Sequence, residues 1–305
     1  MADSLVTISS LRKSFGDLRA VDDLSFSIRQ GETFGLLGPN GAGKTTTISM
    51  LIGLLKPDSG TVSIGSAECS NASDPTLPRV RKLVGVAPQT LSIYEAMSAK
   101  ENLEFFGQLY GISGTKLRER VAWCLDFAQL ADRAKSRVST FSGGMKRRLN
   151  IAVALLHEPA VLLLDEPTVG VDPQSRNHIF ECIQTLREQG MTILYTTHYM
   201  EEAQRLCDRV AIVDHGKLLA LDTVDHLLRQ YGGASVVTAD LETTPNGVEI
   251  PGTRTGNTIR FEAQHPLEEV ARLSGKGVAF QTLNIAQPNL ESVFLTLTGR
   301  KLRDE

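Results

Sequence analysis

Thr33-Phe34-Gly35-Leu36-Leu37-Gly38-Pro39-Asn40-Gly41-Ala42-Gly43-Lys44-Thr45-Thr46 is the stretch on which the architecture turns. Its first five residues form a short apolar run of the kind buried strands show. Beyond it, Ile48, Leu51, Ile52 and Leu55 recur at helical spacing. Between strand and helix lies G-x-x-x-x-G-K-[ST], from Gly38 to Thr45. The glycines let the backbone bend until several N–H groups point inward, and the helix that follows adds its positive end. Such a loop cradles polyphosphate. Lys44 brings a mobile charge to the β- and γ-phosphates, and the Thr45 hydroxyl is a ligand for Mg²⁺.

Outward from this loop, further apolar runs occur at Leu83–Val86, Ala160–Leu164 and Met191–Tyr195. Strands of this kind alternating with helical patterns predict an α/β core around a largely parallel sheet. Val6 and Ile8, then Leu24, Phe26 and Ile28, alternate with polar residues, which predicts half-buried antiparallel strands. The run Val161-Leu162-Leu163-Leu164 ends in Asp165 and Glu166, at the strand edge where ligands bind in such sheets. Asp165 is the expected Mg²⁺ partner, and Glu166 the group that polarises an attacking water. Alone, two carboxylates there read as a solvated turn; the phosphate loop changes that reading.

Ser98 followed by Glu101 forms a capping box, with Leu103, Phe106 and Tyr110 behind it. Leu117, Val121, Cys124, Leu125 and Ala128 continue at helical spacing, so residues 90–157 are expected to form a helical subdomain. Past Tyr231-Gly232-Gly233 the character changes. Turn-rich stretches (Thr244-Pro245-Asn246-Gly247, Pro251-Gly252), a strand at Thr258–Phe261 and helical patterns through Leu267, Val270 and Leu273 and through Leu290, Val293, Phe294 and Leu297 predict a small α+β domain. The expected division is 1–233 and 234–305.

Composition narrows the class of function. The 305 residues are 41% hydrophobic and 22% charged, ordinary for a globular protein large enough to build its own core. With 32 Lys and Arg against 35 Asp and Glu, the chain lacks the basic surplus of general nucleic-acid binders. Cys69, Cys124, Cys182 and Cys207 form no C-x-x-C pair, which argues against a zinc site or a disulfide framework. No run approaches the roughly 20 apolar residues of a membrane span. The start, MADSLVTISS, lacks the features of a signal peptide. The expectation is a chain that reaches a membrane only through a partner.

Phe141-Ser142-Gly143-Gly144-Met145 supplies a second anion site: Ser142 caps the next helix, and Gly143 and Gly144 leave its first amides open. Lys146, Arg147 and Arg148 read as added positive potential or as a solvated basic face. On an outlying helical subdomain this site does not readily close on its own chain's phosphate loop. A head-to-tail pair of copies resolves this, each signature covering the other's ATP.

With these motifs the sequence resembles the ATP-binding-cassette (ABC) ATPases over residues 1 to about 230. FSGGM is similar to the family's LSGGQ, with Phe141 for Leu and Met145 for Gln. The resemblance implies a P-loop α/β cassette with a mixed sheet, an antiparallel β subdomain and a helical subdomain. It also implies roles. Gln89 matches the glutamine that senses Mg²⁺ and water and couples to a permease, and Asp172 in Val169-Gly170-Val171-Asp172 matches the loop aspartate at the dimer contact. His198 matches the switch histidine on the γ-phosphate, and Phe15 stands where an aromatic stacks on adenine. Val169 departs from the small polar residue usual at its position.

The expected mechanism sandwiches two ATP molecules between Lys44 loops and opposite Ser142 signatures. Glu166 orients water and His198 holds transition-state charge. Among cassettes, Tyr94–Leu103, Thr197–Ala203 and Asn289–Phe294 resemble ATP-binding subunits of ABC-2 exporters, including the daunorubicin-resistance type. That implies a separate ABC-2 membrane permease, a homodimer at the cytoplasmic membrane face, and drug or lipid-like cargo. The rival is a soluble ABC ATPase remodelling ribosomes or nucleic-acid complexes. It lacks support from a second cassette, a charged linker or a coiled-coil insertion. A regulatory subunit without turnover is opposed by Glu166 and His198.

Overall fold

The computed structural model describes residues 4–65, 74–243 and 247–299. Cys69 and residues 244–246 of the expected turn lie outside them. Two compact units emerge, one ending at Thr223 and the other beginning at Val224.

The first unit opens with β1 (Ser4–Phe15), β2 (Leu18–Arg29), β3 (Thr33–Leu37), α1 (Lys44–Leu51) and β4 (Ser59–Ile64). It continues through α2 (Pro78–Arg81), β5 (Val84–Ala87), α3 (Ala99–Leu109), α4 (Gly114–Phe127) and α5 (Gly143–Leu155). β6 (Val161–Asp165), α6 (Pro173–Glu188), β7 (Thr192–Thr197), α7 (Met200–Leu206), β8 (Arg209–Asp214) and β9 (Lys217–Thr223) complete it.

β2-β1-β4 make an antiparallel sheet, as the period-two pattern predicts. The central sheet runs β5-β6-β7-β3-β8-β9, parallel except for β8–β9, and is therefore mixed. Every residue of β3, β6 and β7 is buried, because layers cover both faces and an apolar run is what such strands require. β5, β6 and β7 lie one position or more toward the C-terminus of their expected runs, since Asp165 and Thr197 still pair in the ladder although polar.

Register positions the site. Leu37 pairs with Thr197, Asp165 with Thr196, and Ala87 with Leu164. Four parallel strands therefore end side by side, and the loops after β3, β5, β6 and β7 emerge along one edge. The helices α3, α4 and α5 bury a separate core around Leu103, Val121, Leu149 and Leu156. The Ser98–Glu101 capping box forms in both directions, at 2.7 and 3.2 Å.

The second unit contains α8 (Val224–Tyr231), β10 (Ser235–Thr243), β11 (Thr253–Thr255), β12 (Thr258–Ala263), α9 (Pro266–Gly275), β13 (Ala279–Ala286) and α10 (Leu290–Thr298). Its antiparallel sheet runs β11-β12-β10-β13 around Val237, Leu241, Ile259, Phe261 and Leu273. α8 packs on α10, whose Asn289 cap exchanges hydrogen bonds with Ser292. β10 and β13 add to the expected strand: β10 alternates, with Val237, Ala239 and Leu241 buried between polar residues, whereas β13 is mostly exposed and carries little pattern. Among the described residues, no helix is long and apolar enough to cross a membrane.

Candidate functional site

The loop after β3 carries its glycines for distinct reasons. Gly43 has φ +99° and heads α1, and a Cβ there would stand 2.3 Å from the Ala20 carbonyl. Gly38 admits none either, with the Val213 carbonyl 2.2 Å away. The chain thus turns tightly against β2 and β8, and α1 begins at Lys44 with its first amides turned toward the loop. The Lys44 ammonium is buried and donates to the carbonyls of Gly38 (2.8 Å) and Pro39 (3.1 Å). It also stands 3.1 Å from Glu166 Oε1.

Glu166 follows the last residue of β6 with φ +46°, in the left-handed region that a non-glycine rarely occupies. Its own amide is held by Thr196, at 3.2 Å to the carbonyl and 3.1 Å to Oγ1. That clamp turns the carboxylate out of the strand alternation. Gln89 Nε2 donates to Glu166 Oε2 at 3.2 Å, and His198 Nδ1 lies 3.4 Å from Oε1. Three motif residues from three loops therefore converge on one carboxylate. Asp165, also buried, accepts a 2.6 Å hydrogen bond from Thr196 Oγ1.

Lys44, Gln89, Glu166 and His198 line a cleft of about 630 Å³ together with Phe15, Leu18, Asn40, Gly41, Gly43, Thr45, Thr46, Val169 and Tyr199, whereas Gly38, Pro39, Ala42 and Asp165 lie behind its wall. Phe15 is 50% exposed at the end of β1, and Lys13 Nζ stands 5.7 Å above its ring. An exposed aromatic at the rim of a polar cleft suits stacking on a flat base.

Ser142, Gly143, Gly144 and Asp172 do not line the cleft. Ser142 caps α5 by accepting from the Met145 amide at 3.2 Å, and Ser142 and Gly143 are exposed. Gly144 is buried for a reason the sequence did not show: a Cβ there would meet Ser175 Oγ at 2.1 Å and Cβ at 2.2 Å. Asp172 caps α6 through the Ser175 amide at 3.0 Å, and that bond holds its carboxyl below the usual range. Gly144→Ala is therefore expected to push α5 from α6 and lower the melting temperature, and Ser175→Gly in the same chain to restore much of it. Failure of the double variant to recover would contradict this contact.

The three basic residues after the signature do not form a free positive face. Lys146 pairs with Glu95 at 2.6 Å, Arg148 donates to Gln129 Oε1 at 3.0 Å, and Arg147 is buried. Burial lowers the Arg147 pKa, against the opposing pull of the Asp165 and Glu166 carboxylates. Glu202 lies in the Thr197–Ala203 stretch that carries the exporter resemblance, but nothing in the sequence gave it a structural role. Fully buried, it accepts from Thr168 Oγ1 (2.7 Å), Tyr195 OH (2.7 Å) and Thr197 Oγ1 (2.9 Å), and pairs with Arg176 Nε at 2.9 Å. Burial and the nearby Glu202 charge hold the Tyr195 pKa well above its ordinary value. A Glu in the first turn of a helix is commonplace, so no local signal marked it. Cys124, Cys182 and Cys207 are buried free thiols, all with raised pKa from desolvation and so unreactive.

A mixed α/β sheet whose phosphate loop, acidic strand end and following loops meet in one cleft defines a P-loop ATP-binding cassette. The ABC transporter family profile matches residues 21–169. The linearmycin resistance ATP-binding protein LnrL of Bacillus subtilis is 40% identical across 98% of this chain and all of its own length. A Nod factor export ATP-binding protein I of Cupriavidus metallidurans is 41% identical across 99% of each chain. Among solved structures, an ATP-binding subunit of an ABC transporter aligns with a TM-score of 0.64 at 31% identity, over 75% of this chain and 94% of that one. An ATP-binding cassette solved as a post-hydrolysis dimer with ADP and phosphate aligns at 0.63 and 26% identity, over 72% and 98%. The chain belongs to the ABC transporter ATP-binding proteins and is an ABC transporter ATPase.

Proposed function

We propose that this chain powers an exporter, working as two copies beneath a separate ABC-2-type permease at the cytoplasmic membrane face. The observation that carries the reading is the meeting of Lys44, Gln89 and His198 on Glu166, with the Ser142 head of α5 outside that cleft. One copy holds a nucleotide's phosphates but does not cover them; a second copy supplies the cover.

In this reading Phe15 stacks on adenine, and the Gly38–Thr46 loop holds the phosphates. The carboxylate of Glu166 takes a proton from water as its oxygen bonds the γ-phosphorus, and the bond to the bridging oxygen of ADP breaks. Gln89 orients that water, and His198 bears on the γ-phosphate oxygens. Ser142, Gly143 and Gly144 meet the γ-phosphate of the second copy's nucleotide, and Asp172 lies at the contact between copies.

The donors expected for Mg²⁺ are Thr45, Asp165 and Gln89, all hard oxygen ligands, and Thr196 orients the Asp165 carboxylate for the task. Among the described residues, no group of three or more His, Cys, Asp or Glu is placed to hold a metal ion. Bound there, Mg²⁺ would neutralise phosphate charge.

The relatives are named for linearmycin resistance and Nod factor export, which supports export as the direction of transport and is compatible with the expected drug or lipid-like cargo. Affinity purification of the full chain from detergent-solubilised membranes tests the assignment. Recovery of a polytopic membrane protein is expected, and co-sedimentation with ribosomes instead would favour the remodelling alternative.

A further inference from the structure

A basic residue on a helix is ordinarily solvated, yet Arg147 is only 6% exposed. Its guanidinium spans two loops. One terminal nitrogen donates to the carbonyls of Pro88 (3.2 Å) and Gln89 (2.7 Å), and the other to that of Val169 (3.4 Å). Asn150 lies three residues on, and therefore on the same helix face. Its Nδ2 donates to the Pro88 carbonyl at 3.4 Å, and its Oδ1 accepts from the Ser92 amide at 3.0 Å. One face of α5 thus holds the loop that carries Gln89 on both sides of that residue, at Pro88 and Ser92, and the start of the loop that carries Asp172. The planar fork of arginine suits this, because it aims several N–H groups at separate acceptors in a fixed geometry.

We propose that Arg147 is the positioning residue through which the signature helix sets the Gln89 and Val169 loops. An anion seated on this chain's Ser142 head is thereby felt at this chain's own Glu166. The inference rests on the paired-cassette reading, in which that anion belongs to the second copy's nucleotide. Ser142 and Arg147 sit on one rigid helix, so a tilt of its head moves the guanidinium. The guanidinium carries the Gln89 backbone with it, and Gln89 Nε2 lies 3.2 Å from Glu166 Oε2. Val169, hung from the same group, lines the cleft itself. Two discrete seats of α5 would so couple the two nucleotide sites, a coupling free energy carried by named contacts.

Arg147→Lys in the full chain is the sharpest test, since one ammonium keeps the charge but does not hold three carbonyls in two loops. Equilibrium MgATP affinity is expected to stay within about twofold while kcat falls about tenfold, and any sigmoid dependence of rate on ATP flattens. Asn150→Ser, which releases only Ser92 and Pro88, is expected to reproduce a smaller fall. It keeps the test open should Arg147→Lys fold poorly. Wild-type kcat in both variants would overturn the proposal, as would a kcat loss matched by equal loss of ATP affinity or recovered by cooling below the variant's melting transition. Glu166→Gln with MgATP separates the two readings. If it stays monomeric, the paired cassette fails; if it dimerises while Arg147→Lys turns over normally, only the role of Arg147 fails.

Discussion

Glu166→Gln is expected to lower steady-state ATP turnover by about a hundred- to a thousandfold, the usual contribution of a positioned base, while leaving ATP binding in place. Glutamine has nearly the shape of glutamate, so the left-handed turn held by the Thr196 clamp is preserved. Lys44 loses one charged neighbour but keeps the Gly38 and Pro39 carbonyls. What disappears is the proton acceptor. Nucleotide then enters and is not cleaved, so the variant should accumulate as a dimer in MgATP. Phosphate release and size-exclusion chromatography with light scattering read the two outcomes. Near-normal turnover would remove Glu166 as the base, and a strictly monomeric variant would remove the nucleotide-bridged pair.

Glu202→Ala is the second large effect, expected to destabilise the protein by about 3–5 kcal/mol, the range for breaking a buried ion pair by removing one partner. Three hydroxyl donors, Thr168, Tyr195 and Thr197, lose their acceptor at once, and Arg176 loses its ion-pair partner. Arg176, part-exposed, can turn to water, but the Tyr195 hydroxyl is completely buried and has no such recourse. Thr197 precedes His198 and Thr168 follows Glu166 by two residues, so the loops that carry His198 and the proposed base Glu166 loosen together. Urea unfolding should show the loss, and turnover should fall even where the variant remains folded. Glu202→Gln, which keeps the volume and one acceptor oxygen, is expected to fall between wild type and Glu202→Ala. Equal stability of Glu202→Ala and wild type would show that the buried knot contributes nothing.

Lys44, Thr45 and Glu166 of the cleft were legible from short local patterns, whereas Gln89, His198 and Phe15 were named only through the family resemblance, and Leu18 and Tyr199 carried no signal of their own. The G-x-x-x-x-G-K-T loop needs its glycines for backbone reasons that any chain would share, and the capping box at Ser98 is complete within four residues. Strand interiors were legible because burial on both faces demands apolar runs. Strand ends were less so, since Asp165 and Thr197 are polar yet remain in the ladder, paired through the neighbouring strand. In the second unit β13 was hard to see because most of it is exposed and it carries little pattern, whereas β10 carries an alternation, Val237, Ala239 and Leu241 against Thr238, Asp240 and Glu242, that a period-two reading could have found.

By itself the amino-acid sequence determined the class of fold and the ATPase chemistry, because the phosphate loop and the apolar strands depend on spacing within a few turns of chain. Only the tertiary structure decided that Arg147 turns inward, that Gly144 is small for Ser175, and that Glu202 gathers three hydroxyls and Arg176. Each of these depends on a partner at least five residues away, in most cases many more, and brought near by sheet register and helix packing. A contact of that kind leaves no period in the sequence; it exists once the two segments have been laid side by side.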